Sequence, residues 1–208
     1  GTGQVSAKGN SNQKGAVAYV HSGGTLVLHG GTLTMSQSSD GGNVIYAQKG
    51  NVKVHGGTIT DGKSATTEDV YMSGNSSLFA RDGEISSVVT DGQVTVSRYA
   101  TIGVLTPGSN AVLEDILKIS NFFVGSVGLN LSVLPEEGVD IGSSDEKGSL
   151  NGECFYLIGN DHYGAVLQDS QLILKEKTYC EHCKKLATWH AITETGRPNT
   201  EQLSGHFY

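Results

Sequence analysis

Gly30-Gly31-Thr32-Leu33-Thr34 is a five-residue motif that the chain repeats at one fixed spacing. The second copy is Gly56-Gly57-Thr58-Ile59-Thr60 and the third is Asp82-Gly83-Glu84-Ile85-Ser86, so each copy starts 26 residues after the last (56 − 30 and 82 − 56). Alternating apolar residues ahead of each copy keep the same step. They form two sets: Leu26, Val52 and Leu78, and Ala18, Val44 and Val70. Alternation is typical of strands with one buried face, and a strand-only period indicates the stacked coils of a β-solenoid.

The composition suits a fold that turns often around a narrow core. Of 208 residues, 29 are Gly, 3 are Pro, 37% are hydrophobic and 17% are charged. Glycine favours turns because it adopts positive φ angles freely. The net charge of −7 argues against a nucleic-acid partner, since phosphate binding needs clustered Lys and Arg. No apolar run approaches the length of a membrane span.

The chain divides into three predicted regions. Residues 1–107 are expected to form an all-β, right-handed parallel β-helix, the hand that parallel crossovers prefer. Residues 108–175 are expected to hold the final coils and a β-rich cap over the open end. Residues 176–208 are interpreted as a Cys-containing linker and the start of another module. The chain begins within its own pattern and shows no signal peptide, so we expect a fragment of a longer protein.

Two insertions are predicted on one corner of the solenoid. Ser36–Asn43 and Asp61–Glu68 separate a repeat motif from the next coil, whereas no such loop separates Ile85 from Val88. Insertions of this kind often build a binding face. Farther along, Pro135–Gly148 is expected to be a loop, and short strands are expected at Ala111–Leu113, Leu117–Ile119, Val127–Leu131, Cys154–Ile158, Val166–Leu167 and Leu172–Leu174.

The repeat resembles one found in large surface proteins of gut Firmicutes. The resemblance rests on Gly15-Ala16-Val17-Ala18-Tyr19-Val20-His21-Ser22-Gly23-Gly24-Thr25 followed by the motif at Gly30–Thr34, and on a tail with Thr188-Trp189-His190 and Gly205-His206-Phe207-Tyr208. In that family the repeat looks like a pectin-lyase-like right-handed β-helix. The resemblance implies an adhesin-type protein that is secreted or attached to the bacterial cell wall, and it supplies no catalytic residue.

A column of exposed aromatic side chains is the first candidate binding surface. The 26-residue register places Tyr19, Ile45 and Tyr71 in one column that points outward, because their neighbours are assigned to the interior. Tyrosine is favoured at interfaces since it provides contact area at a low cost in entropy. The alternative is that the inserted loops or the cap cover this column. The neighbours assigned to the interior are Ala18, Val44, Val70, Val20, Tyr46 and Met72.

A second column, His29, His55 and Arg81, precedes the three turns of the repeat motif. It is a candidate site for an anion or a glycan, and the alternative is a solvated turn. Two imidazoles could also bind a metal ion, but the sequence offers no evident third ligand.

Carboxylates decide between a binding module and an enzyme. Parallel β-helices include polysaccharide lyases and glycosidases, which need acids clustered on adjacent coils. No column of the 26-residue register contains two acids; Asp69, for example, is placed on Asn43. The sequence also lacks a nucleophile elbow and a phosphate-binding loop. We therefore predict a non-catalytic spacer and binding surface for a host protein or glycan, with a carbohydrate-active enzyme as the alternative.

Cysteines offer the last candidate site. Cys180 and Cys183 have the spacing of a zinc half-site, which His190 or His206 could help to complete. A reduced or disulfide-linked pair is the competing interpretation. No other cofactor is predicted, and Cys154 is expected to be a buried strand thiol.

Overall fold

Nearly all of the described chain is β-structure. The computed structural model describes residues 3–8, 15–37, 42–60, 68–120, 122–131, 140–144, 154–168 and 171–176. The one helix in these residues is α1, a single turn at Leu113–Ile116. The strands are β1 (Gln4–Lys8), β2 (Ala18–Val20), β3 (Thr25–Leu28), β4 (Thr32–Gln37), β5 (Ile45–Gln48), β6 (Asn51–Val54), β7 (Gly57–Thr60), β8 (Val70–Ser73), β9 (Ser77–Ala80), β10 (Gly83–Thr90), β11 (Gln93–Val96), β12 (Thr101–Pro107), β13 (Leu117–Ile119), β14 (Ser126–Leu129), β15 (Asp140–Ser144), β16 (Phe155–Leu157), β17 (Asn160–Gln168) and β18 (Gln171–Glu176).

Parallel pairing stacks these strands into three faces, which the chain visits in the same order in every coil. Face A contains β2, β5, β8 and the second halves of β10 and β12. Face B contains β3, β6, β9, β11, β13 and β15. Face C contains β1, β4, β7, the first halves of β10 and β12, then β14 and β16. This arrangement confirms the predicted parallel β-helix.

Inward side chains form continuous apolar ladders along the axis. On face C, Leu33, Ile59 and Ile85 align as predicted, and all three are buried. On face B, Leu26, Val52 and Leu78 align, again as predicted. The face C ladder then continues through Ile102, Val127 and Phe155, each buried to within a few per cent. Each coil therefore buries its apolar residues mainly against the coils before and after it.

The corner between face C and face A carries the predicted insertions. The stretches around residues 38–41 and 61–67, which lie outside the described residues, link β4 to β5 and β7 to β8. In the next coil, β10 crosses the same corner as one strand and pairs with both β7 and β8. The loss of an insertion thus merges two strands into one, which explains the shorter spacing after Ile85.

Parallel stacking ends in an antiparallel hairpin. β17 pairs with β18, β18 also pairs with β15, and β17 pairs with β16. Two sequence predictions are wrong here. Ala111–Leu113 is not a strand, because the chain instead enters the turn α1, which buries Ile116 and leaves Val112 exposed. β15 lies inside the predicted loop Pro135–Gly148. Its Gly142 approaches Leu117 so closely that a Cβ would lie 2.2 Å from the Leu117 carbonyl oxygen, so this strand needs a residue typical of loops.

Candidate functional site

The outward aromatic column on face A contains three tyrosines. β2 aligns Tyr19 with Tyr46, and β5 aligns Tyr46 with Tyr71. The prediction that Ile45 is the middle member is therefore wrong. Ile45 lies on the inward ladder between Ala18 and Val70, and its side chain is fully buried. The predicted inward orientation of Tyr46 is wrong for the same reason. We call Tyr19, Tyr46 and Tyr71 the tyrosine ladder.

Two compensating changes in length cause this one-residue shift. From face C to face A the chain takes 12 residues after Leu33 (45 − 33) but 11 after Ile59 (70 − 59). From face A to face B it then takes 7 residues after Ile45 (52 − 45), against 8 in the coils before and after (26 − 18 and 78 − 70). The two changes cancel over the full period of 26 residues, so only face A is out of step.

The shortened turn has a visible conformational signature. Lys49 adopts a positive φ of 56°, at the corner where the neighbouring coils use Gly23 and Gly74 with φ of 76° and 61°. Gly50, which follows it, packs on the coil before, since a Cβ there would lie 2.7 Å from the Val20 side chain. The tight turn of this coil therefore depends on one left-handed residue and one close backbone approach.

The rings of the tyrosine ladder stack on one another along the axis. Ring centroids are 5.5 Å apart between Tyr19 and Tyr46 and 5.1 Å apart between Tyr46 and Tyr71, with interplanar angles of 25° and 14°. The Tyr19 hydroxyl donates to Gln48 Oε1, and the Tyr46 hydroxyl lies 3.5 Å from Ser73 Oγ. Tyr19 remains 46% exposed, whereas Tyr46 is only 8% exposed. The ladder thus presents ring edges to solvent and one terminal ring.

Face B carries the second candidate column. His29 and His55 stack with centroids 5.3 Å apart and an interplanar angle of 17°. Arg81 follows in the next coil, because its backbone N–H binds the Val54 carbonyl as the His55 N–H binds that of Leu28. Arg81 Nε lies 3.4 Å from Asp82 Oδ2, and Arg98 Nε lies 3.3 Å from Asp82 Oδ1. The residues predicted to stack do stack, and their role in binding stays a prediction.

A neighbouring outward column on face B was missed by the sequence reasoning. Strand register aligns Val27, Lys53, Phe79, Thr95 and Lys118 on successive coils. The Phe79 ring lies 5.8 Å from that of His55 at 54°, so the two columns are in contact. The available signal was the alternation itself: these residues precede the histidine column by two positions and must share its face.

The carboxylates with defined partners have structural roles. Asp69 is buried, and its Oδ2 accepts hydrogen bonds from the Ser87 backbone N–H at 2.9 Å and from the Ser87 hydroxyl at 3.2 Å. Asp69 is therefore not placed on Asn43 as predicted; the Asn43 amide donates to the Glu68 carbonyl instead. Asp91 Oδ1 accepts from the Asn110 backbone N–H at 3.0 Å. Each of these acids fixes a turn or a corner.

The predicted metal site at Cys180, Cys183 and His190 lies outside the described residues, as does His206. In the part of the chain that the structure does describe, no group of three His, Cys, Asp or Glu side chains is placed to hold a metal ion. Cys154 is buried as predicted, directly before β16.

Comparison with protein-family models, curated proteins and solved structures finds no match for this chain. The resemblance to repeats of bacterial surface proteins therefore stays a prediction from the motif. No helix among the described residues is long and apolar enough to span a membrane.

Proposed function

We propose that this chain is a non-catalytic β-helix module of a secreted or cell-wall-attached bacterial surface protein. It acts as a rigid spacer and as a binding surface for a host protein or glycan. The bacterial surface location rests on the sequence resemblance alone. The observation that carries the binding role is the tyrosine ladder, an outward column of stacked rings that ends in an exposed tyrosine.

The spacer role is supported by the continuity of the solenoid. Every coil pairs in parallel with the next on three faces, and the same apolar ladders pass through all of them. Each coil advances the chain by about 4.8 Å along the axis. A partner on one coil is thus held at a defined distance from a partner on another.

The binding role is supported by the chemistry of the ladder. Because the rings stack on one another, a ligand meets their edges together with polar groups of the adjacent column, among them Gln48 and Ser73. Tyr19 and Tyr71 offer the accessible area, since Tyr46 between them is buried. Apolar ring edges beside hydrogen-bonding groups suit both a sugar and a protein side chain.

An array of glycans and host proteins probed with the 208-residue chain tests the binding role. Tyr19→Ala should weaken each genuine interaction by about 1 kcal/mol or more, in the range found for interface aromatics. Tyr99→Ala is the matched control, because Tyr99 is 65% exposed and lies outside the ladder. An interaction that survives Tyr19→Ala, or that Tyr99→Ala weakens equally, would contradict a site on the ladder.

A non-catalytic role predicts that no polysaccharide is cleaved. Asp69, Asp82 and Asp91 are each engaged by neighbouring groups, which supports structural roles for these acids. Pectin, glycosaminoglycan and mucin glycans should therefore yield neither reducing ends nor the ultraviolet absorbance of unsaturated products. Either signal would favour the enzyme alternative.

A further inference from the structure

Face B concentrates positive charge in two adjacent outward columns. One column contains His29, His55 and Arg81, and the other contains Lys53 and Lys118. We call these five residues the cationic stripe. His29 and Lys53 are exposed, and the Arg81 side chain is 41% exposed. The stripe is therefore accessible over the first three coils, where the columns touch.

Acidic groups are scarce around the stripe. The third outward column of face B is uncharged: it aligns Thr25, Asn51, Ser77 and Gln93. Asp82, at the next turn, lies between Arg81 and Arg98 and is engaged by both. Lys53 takes part in neither of these ion pairs. In a chain of net charge −7, face B is thus a local region of positive potential.

The stripe is long and narrow. His29 lies on the first coil and Lys118 four coils later, which corresponds to about 19 Å along the axis at ~4.8 Å per coil. The two columns are two residues apart on each strand, or about 7 Å. Such a shape matches one extended chain that carries charges at intervals, and it is too narrow for a broad protein interface.

We propose that the cationic stripe binds a linear anionic polysaccharide through its sulfate or carboxylate groups. Lys53 and Arg81 supply charge-assisted hydrogen bonds, and the Phe79 ring between them offers apolar contact for a sugar ring. A nucleic acid is disfavoured, because the remainder of this acidic chain repels a continuous phosphate backbone. This site lies on a different face from the tyrosine ladder and does not depend on it.

Dextran sulfate, carboxymethyl dextran and uncharged dextran are suitable probes, because they share one backbone and differ in charge. Titration calorimetry of the 208-residue chain should show binding of one or both charged forms, none of the uncharged form, and weaker binding as salt rises. A difference between the two charged forms identifies the preferred group. Equal or tighter binding of single-stranded oligothymidylate of similar charge would overturn the choice of a polysaccharide.

Substitutions on one coil locate the site. Lys53→Gln should weaken binding about five- to ten-fold, the loss expected for a hydrogen bond to a charged group, and Lys53→Arg should retain it. Lys49→Gln is the matched control: Lys49 is exposed four residues earlier, at a corner away from the stripe. Arg81→Gln should act like Lys53→Gln, with thermal melting to verify folding. Equal losses for Lys49→Gln and Lys53→Gln, or no loss for Lys53→Gln, would overturn the proposal.

Discussion

The tyrosine ladder and the cationic stripe are both outward columns of stacked rings, but they are integrated into the fold to different degrees. Tyr46 is enclosed by its two neighbouring rings and by the adjacent coils, and only 8% of it is exposed. His55 stacks on His29 alone among the imidazoles and remains partly exposed. An outward direction on a solenoid therefore does not by itself mean a free surface.

This difference separates structural from functional residues within each column. In the ladder the middle ring contributes to stability, and the terminal Tyr19 offers contact area. In the stripe, the charges of Lys53 and Arg81 lie in high-dielectric surroundings and contribute little to folding. We expect stability to respond to changes in the ladder and charge-dependent binding to respond to changes in the stripe.

The largest expected effect tests whether face A has the register on which the ladder depends. Ile45→Asp should lower the free energy of unfolding by several kcal/mol, because it buries an unpaired carboxylate between Ala18 and Val70. Ile59→Asp on face C should cost a similar amount, since Ile59 is also fully buried. Guanidinium denaturation measures both.

Thr58→Asp is the control for these two changes, because it places the same carboxylate on the outward neighbour of Ile59. It should cost at most about 1 kcal/mol, as surface substitutions do. If Ile45→Asp is as mild as Thr58→Asp, then Ile45 points outward and the ladder does not contain Tyr46.

A smaller effect contrasts the middle rings of the two columns. Tyr46→Ala should destabilise the fold by about 2–4 kcal/mol, because it removes two ring contacts and leaves a cavity. His55→Ala should change stability by about 1 kcal/mol or less. Thermal melting of the two variants side by side is sufficient, and equal shifts in Tm would remove the distinction between ladder and stripe.

The smallest effect concerns the hydroxyl groups of the ladder. Tyr19→Phe removes the hydrogen bond to Gln48 while it keeps the stacked ring, so the expected loss of stability is about 0.5–1 kcal/mol. Gln48→Ala should cost a similar amount. In the double variant the two losses should not add, because both remove one interaction. Additive losses from chemical denaturation would show that the two groups act separately.

The parallel solenoid could be predicted because the motifs around Leu33, Ile59 and Ile85 repeat with an unchanged spacing. The histidine column was found for the same reason, since face B keeps the 26-residue step. The tyrosine ladder was misread because an added residue before Ile45 and a missing one after it cancel in the total. Lys118 and its column were overlooked, because irregular coils after residue 100 break the period that would have connected them to Lys53.

The strand β15 was missed for a different physical reason. Its composition is typical of a turn, and the need for Gly142 arises only from the close approach of Leu117 in the preceding coil. A contact of this kind depends on how two coils pack, so no local pattern of residues indicates it. Likewise, α1 replaces a strand at a corner whose geometry is set by the coils on either side.

The cancelling length changes around β5 determine where this solenoid can be shortened. Deleting residues 26–51 would join Thr25 to Val52 on face B and leave every remaining side chain on its original face. Deleting residues 19–44, a segment of the same length, would join Ala18 to Ile45 and place two inward residues in succession. Because a slip of one residue reverses the two faces of a strand, only the first deletion preserves the solenoid. Whole coils are thus interchangeable units here only when the junctions lie on face B or face C.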